Sequence, residues 1–135
     1  MKKINVLVTG GAGFIGSHLC EKLLEKNYRV TVIDNLSVGK KKNISKKIKF
    51  IKKDILNYKS CDLVCKNIDI VVHLAAKVSI RNSVNTLDED IKNNINGTIN
   101  ILNASAKNKV KKFIFASSMA VYKKKIVSLF LKQMQ

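Results

Sequence analysis

Proline and tryptophan are absent from the 135 residues, and arginine occurs only at Arg29 and Arg81. Without proline there is no Pro-rich linker, and one signal for helix starts is lost. With no tryptophan and an aromatic share of 6%, an aromatic-rich β-sandwich is excluded in favour of an aliphatic α/β core. No apolar run approaches the roughly 20 residues a membrane-spanning helix requires, and "IVSLFL" near the C-terminus is far shorter. The first apolar run, "INVLVT", passes directly into glycines, which leaves no room for a signal-peptide core. A cytoplasmic chain is therefore expected. Three cysteines, an odd number, argue against a disulfide framework. Cys61 and Cys65 would share a helix face, yet His18 and His73 lie in no zinc-type spacing, so the cysteines read as small core residues and no metal site is predicted.

Acidic residues are also scarce: 9 against 26 basic ones, for a formal charge of +17. Clustered lysines could release counterions from a nucleic-acid backbone. Lysine without arginine or interleaved aromatics is a poor reader of bases, however, and composition alone supports that alternative.

The apolar share is 46%, and the length suits one domain with one core. Short β-rich runs alternate with amphipathic stretches, the pattern of βαβ units feeding a parallel sheet. Strands are predicted at Ile4 to Thr9, Arg29 to Ile33, Ile48 to Lys52, Ile68 to Leu74 and Lys112 to Ala116. A first helix carries Ile15, Leu19, Leu23 and Leu24 on one stripe; a shorter one runs from Asn57 to Lys66. A long helix from about Leu87 to Lys107 is expected to turn Ile91, Ile95, Thr98, Ile99, Leu102 and Ala106 inward. Gly97 inside it costs about 1 kcal/mol relative to alanine, which points to close packing or a ligand. The lysine-rich segment from Lys40 to Lys47 reads as the least structured interior stretch.

The strongest chemical signal is "VLVTGGAGFIGSHL". Gly10, Gly13 and Gly16 give Gly-x-x-Gly-x-x-Gly, while Gly11, Gly13 and Gly16 also fit Gly-x-Gly-x-x-Gly. Such glycines after a buried strand let the backbone turn tightly, approach a pyrophosphate and present amides at a helix N-terminus. The next strand ends at Asp34, 18 residues beyond Gly16, where a carboxylate can accept both hydroxyls of an adenosine ribose. Its charge would repel a 2′-phosphate, so NAD is favoured over NADP. Lys40, Lys41 and Lys42 could in principle clamp a phosphate, but a solvated loop face is the simpler account.

Six ordered blocks, "VTGGAGFIGSHL", "VIDNLSVGK", "KKDILN", "VVHLAAKVSIRNSV", "NNINGTINIL" and "FIFASSMAVY", run from Ile4 to Tyr122. Together they resemble the NAD-dependent sugar-nucleotide epimerases and dehydratases of the extended short-chain dehydrogenase/reductase group, and within it most closely the UDP-glucose 4-epimerases. The resemblance implies a Rossmann-type doubly wound parallel sheet, here the N-terminal part through about its fifth strand. It sets Gly10, Gly13, Phe14, Ile15 and Gly16 against the pyrophosphate, Asp34, Asn35 and Ser37 around the adenosine ribose, and Asp54 and Ile55 at the adenine. Leu74, Ala75 and Ala76 would line the middle of the cofactor, and Asn94 would face its nicotinamide side. Ser118 matches the residue that hydrogen-bonds the sugar hydroxyl being oxidised. The substrate implied is a nucleotide sugar, and relatives often form homodimers through helices like the one after Leu87.

The family's general base is a tyrosine in a Tyr-x-x-x-Lys motif, the lysine lowering the tyrosine's pKa. Tyr122 does not match it, because Ile126 stands four residues on. The NAD-binding domain is thus expected over residues 1–122, incomplete and inactive by itself, with residues 123–135, "KKKIVSLFLKQMQ", a divergent tail. That tail is read as the result of a frame slip or early stop, or as a short apolar helix covering exposed sheet. A nucleotide-binding module that needs a separate C-terminal partner is the alternative.

Overall fold

The computed structural model of the protein describes residues 3–77, 87–118 and 121. β1 (Asn5–Thr9), β2 (Arg29–Asp34), β3 (Lys49–Lys52), β4 (Ile70–His73) and β5 (Lys112–Phe115) form one sheet in the order β3-β2-β1-β4-β5. Every neighbouring pair is parallel. Parallel strands need long crossovers, and the helices α1 (Phe14–Glu25), between β1 and β2, and α2 (Tyr58–Cys65), between β3 and β4, supply two of them. A third begins with α3 (Leu87–Asp90), widens into a π-helical turn over Ile91–Asn96 and continues as α4 (Gly97–Lys107). All five predicted strands are present with ends shifted by at most two residues, the usual uncertainty of a boundary.

Alternation along the strands builds two cores, one per sheet face. Val6, Val8, Val30 and Val32 face α1, where Cys20 is buried and Leu19, Leu23 and Leu24 pack against them. Leu7, Ile33 and Val71 point the other way, onto Cys61, Val64 and Cys65 of α2 and Ile101 and Ala104 of α4. Each such large side chain contributes about 1.5 to 3 kcal/mol when fully buried. All three cysteines are buried and unpaired as disulfides, and burial pushes the Cys20 and Cys61 thiols up to about 12. They behave as small apolar residues. α2 starts at Asn57, whose side chain accepts the Ser60 amide at 3.0 Å. Asn27, Asn67 and Lys109 take left-handed conformations just past the ends of α1, α2 and α4, the usual exit from a helix into a turn.

Two expectations fail. Ile15 lies outside the buried stripe of α1, at 69% exposure, because Gly16 and Cys20 take the inward positions. The predicted inner face of the long helix is turned around except at Thr98, which is half-buried and reaches His73: Ile91, Ile95, Ile99 and Leu102 are 41 to 52% exposed, while Gly97, Ile101, Ala104 and Ser105 are buried. Helical spacing marks an apolar stripe without saying which of two stripes meets the sheet, and the small-residue stripe wins because it lets α4 come close to α2 and Ile55. A Cβ on Gly97 would sit 2.6 Å from Ile55 Cδ1, which is the close packing its presence implied. The segment from Lys40 to Lys47 carries no α-helix or strand, as expected of the least structured stretch, yet it is tied down by a 3-10 turn at Lys41–Asn43 and by Lys40 N and Asn43 Nδ2, which both donate to Ala12 O. Tyr122 and the tail lie outside the described residues, as does Arg81. Among the described residues no helix is long and apolar enough to cross a membrane.

Candidate functional site

The C-terminal ends of β1, β2, β4 and β5 share one rim of the sheet, and strand order reverses there between β1 and β4. In open α/β sheets that reversal is where ligands collect. The glycine-rich turn crosses the rim between β1 and α1. Gly10 has φ +69°, and a Cβ there would lie 2.8 Å from Ala75 N, so only glycine fits. On Gly16 a Cβ would meet Gly10 O at 2.4 Å, the contact that presses α1 onto the turn. Gly13 differs. Its added Cβ would meet only Gly10 O, at 3.3 Å, so the packing of the chain itself barely demands a glycine. Gly13 caps α1 without a side-chain hydrogen bond, and the first turn contains no acid. The positive end of the helix dipole thus keeps its first amides for an anion. Phe14 and Ile15 are largely exposed on that first turn.

At the end of β2, Asp34 Oδ2 accepts the Ala12 amide at 3.0 Å and Oδ1 accepts the Leu36 amide at 2.8 Å. Each oxygen retains a lone pair. Asn35 follows, its Oδ1 accepting the Ser37 amide at 2.9 Å and its Nδ2 donating to Asp54 Oδ2 at 2.9 Å. Asp54 Oδ1 also takes the Leu56 amide. Asn35, Ser37 and Asp54 therefore form one hydrogen-bonded corner across the ends of β2 and β3, with Asp34 next to it in sequence and bonded instead to Ala12 and Leu36. Ile55 stands apart from them as a side chain: it is buried in the core beneath Gly97, and its carbonyl accepts from Cys61 Sγ and Asn100 Nδ2.

Across the reversal, Thr9 and His73 end β1 and β4 at the same register. His73 is 2% exposed, with Nδ1 2.7 Å from Thr9 Oγ1 and Nε2 2.9 Å from Thr98 Oγ1. Burial lowers its pKa from 6.5 to about 4. Thr9 Oγ1 also accepts the amides of Leu74 (3.2 Å) and Ala75 (3.1 Å). Ala76 is exposed beside them. Asn94, within the π-helical turn, accepts the Lys77 amide at 2.8 Å and donates to the Lys77 carbonyl at 3.0 Å. Its amide group is thus fastened to the strip after β4. Ser118 lies just past β5 on the same rim, exposed, its carbonyl accepting the Val121 amide. Sequence reasoning passed over Thr9, His73 and Thr98. The available signal was two polar residues, Thr9 and His73, closing two otherwise apolar neighbouring strands.

A five-stranded parallel sheet ordered 3-2-1-4-5, with a glycine turn at the head of α1 and an acid ending β2, defines a Rossmann-type nucleotide-binding unit. Residues 6–128 match the NAD dependent epimerase/dehydratase family, and the chain belongs to that family. It is 42% identical over 126 residues to the UDP-glucose 4-epimerase of Schizosaccharomyces pombe, covering 87% of this chain and 36% of that one. It is 43% identical over 127 residues to a UDP-N-acetyl-alpha-D-glucosaminuronate decarboxylase of Bacillus cytotoxicus, covering 92% and 39%. The crystal structure of Thermus thermophilus UDP-glucose 4-epimerase in complex with NAD superposes with a TM-score of 0.82 at 38% identity, over 85% of this chain and 38% of that one. The chain thus spans well under half the length of these relatives, matching the N-terminal part of the family fold.

Proposed function

We propose that this chain is the NAD-binding portion of a nucleotide-sugar epimerase or dehydratase, with UDP-glucose 4-epimerase as the nearest activity. The observation that carries the reading is Gly13: a Cβ there would meet a single atom, Gly10 O at 3.3 Å, next to helix amides that no side chain caps. A pyrophosphate would lie against Gly10, Gly13 and Gly16 and the first turn of α1 with Phe14 and Ile15. Asp34 would accept the ribose hydroxyls on its remaining lone pairs, with Asn35 and Ser37 beside it. Asp54 would accept from the adenine amine, and the backbone of Ile55 would edge the base. Leu74, Ala75 and Ala76 would line the middle of the dinucleotide, and Asn94 the nicotinamide side. When bound, the nicotinamide would serve as the transient hydride acceptor for a sugar carbon. Ser118 would hold the sugar hydroxyl that loses its proton. The names of the relatives, which act on UDP-sugars, support a nucleotide-sugar substrate.

Tyr28, Tyr58 and Tyr122 are followed four residues later by Val32, Asp62 and Ile126. These residues alone therefore supply no Tyr-x-x-x-Lys base, and losing a positioned base costs on the order of 10² to 10⁴ in rate. Turnover would require that pair from elsewhere. The exposed Ile91, Ile95, Ile99 and Leu102 form a stripe along one helix face, and a second copy meeting it about a two-fold axis would bury it self-complementarily. Cytoplasmic residence belongs to the same reading. The test is calorimetric titration of folded protein with NAD⁺: saturable heat is expected, abolished by Gly13→Glu with the circular dichroism unchanged. A folded wild-type chain that gives no heat with NAD⁺ overturns the proposal.

A further inference from the structure

We propose that His73 is a positioning residue for the dinucleotide site: held as the neutral Nε2–H tautomer, it ties both ends of the Leu74–Lys77 strip to the sheet and to the π-helical turn. The role rests on the NAD-binding reading above, and it follows from counting protons. Thr98 Oγ1 lies 2.7 Å from Asn94 O. A carbonyl only accepts, so the threonine hydrogen goes there. At 2.9 Å from His73 Nε2 the same oxygen must then accept, which places the ring hydrogen on Nε2. Nδ1 is left bare and accepts the Thr9 hydroxyl at 2.7 Å. With its hydrogen directed to the ring, Thr9 Oγ1 has two lone pairs, and the Leu74 and Ala75 amides occupy them. At the other end, Asn94 takes the Thr98 hydrogen on its carbonyl while its side chain grips both backbone groups of Lys77. The three hydrogens of the relay, on Thr98 Oγ1, His73 Nε2 and Thr9 Oγ1, each go to one acceptor, while the Leu74 amide is shared between Thr9 Oγ1 and Thr9 O, both at 3.2 Å. A satisfied network of this kind fixes geometry more firmly than its single bonds would.

The strip so held is the one against which Gly10 packs, with Ala75 N 2.8 Å from where a Cβ would stand. The relay therefore spans the point where strand order reverses. A π-helical turn inserted in the helix is often found at functional positions, and here it presents Asn94 to Lys77. A second ring proton on Nδ1 would point at an oxygen already fully engaged. The ring's partners are Thr9 from β1, Thr98 from α4, and Phe113 and Phe115 from β5 with ring centroids 6.0 and 5.8 Å away, none of them charged. Among the described residues, the titratable groups of the strip and its helix that join this network are Lys77 and Glu89, which pair with each other at the surface. Among the described residues none of the groups that contact the ring compensates a positive charge, and depressed basicity accompanies that environment.

The experiment combines two readouts. Long-range ¹⁵N–¹H spectra of the labelled wild-type chain without cofactor should show Nε2 protonated and Nδ1 bare from pH 8 to about 5. NAD⁺ calorimetry on Thr98→Val and His73→Asn, each checked for fold by circular dichroism, should show affinity reduced on the order of fivefold to tenfold. Wild-type affinity should be flat from pH 8 to about 5 and fall below that. An Nδ1–H tautomer, a ring that charges near its ordinary pKa, or folded variants that bind NAD⁺ like wild type would each overturn the role while leaving the functional reading intact. Folded wild-type protein that takes up no NAD⁺ at any pH would overturn both.

Discussion

Asp34 and Ala12 are 22 residues apart in sequence, yet Asp34 Oδ2 accepts the Ala12 amide at 3.0 Å. The acid that ends β2 therefore fixes the glycine-rich turn that follows β1, and Asp34 Oδ1 at the same time fixes Leu36 in its left-handed conformation. Asp34→Ala is expected to leave both amides without this acceptor and to destabilise the chain by about 1 to 3 kcal/mol. Asp34→Asn keeps one acceptor oxygen and should cost less. Urea denaturation of the two variants checks the order, and NAD⁺ calorimetry should show both binding more weakly than wild type.

Gly10 and Gly13 separate fold from ligand. Gly10→Ala forces a Cβ into the Leu74–Ala75 backbone at a left-handed position and is expected to cost more than about 2 kcal/mol. Gly13→Ala meets a single oxygen at 3.3 Å and should leave the denaturation midpoint near wild type while lowering NAD⁺ affinity at least about tenfold, the equivalent of 1.4 kcal/mol. Equal loss of stability in the two variants would contradict the division.

His73 gives the stability a defined pH dependence. Its folded pKa, about 4, lies below the unfolded 6.5, so between those values the unfolded chain binds the proton better. Stability is complete above about pH 6.5 and falls as the pH drops toward 4, by up to about 3 kcal/mol from this group. Asp62, held below the ordinary carboxylate range by hydrogen bonds from Lys107 and Asn108, loses its contribution only at still lower pH. Denaturation midpoints measured from pH 8 to 4 should trace the first window, and His73→Asn should flatten it.

The outward stripe on the long helix predicts an association. Ile99→Asp or Ile95→Lys should change monomer stability by no more than about 0.5 kcal/mol, since both side chains are about half exposed. Either should raise a dimer dissociation constant at least about tenfold, read by sedimentation velocity. A wild-type chain that sediments as a monomer at high concentration would remove the basis for a two-fold interface.

The five strands and the glycine turn were legible because their signals are local: a β-rich run bounded by turn residues, and glycines whose spacing follows from helix and strand geometry. Asp34 was legible as an acid at a strand end but not as a partner of Ala12, because that bond depends on how β1 and β2 stand in the sheet. The long helix was read with the wrong face inward because two stripes compete there, and Gly97, Ile101 and Ala104 owe their burial to the nearness of Ile55 and α2. The hydrogen-bonded set of Thr9, His73 and Thr98 assembles residues up to 89 positions apart. No window along the chain contains it.

The widened turn over Ile91–Asn96 makes this stretch sensitive to length in a way that composition does not register. A π-helical turn is the shape an α-helix takes when it carries one extra residue, so an in-frame loss of one codon there would let the coil retighten with the flanking helices α3 and α4 still in phase. If the codon lost is that of Ile95 or Asn96, Asn94 would be rotated by about 100° relative to Thr98 and its hold on Lys77 given up, so a conservative replacement at either position should be tolerated better than its deletion.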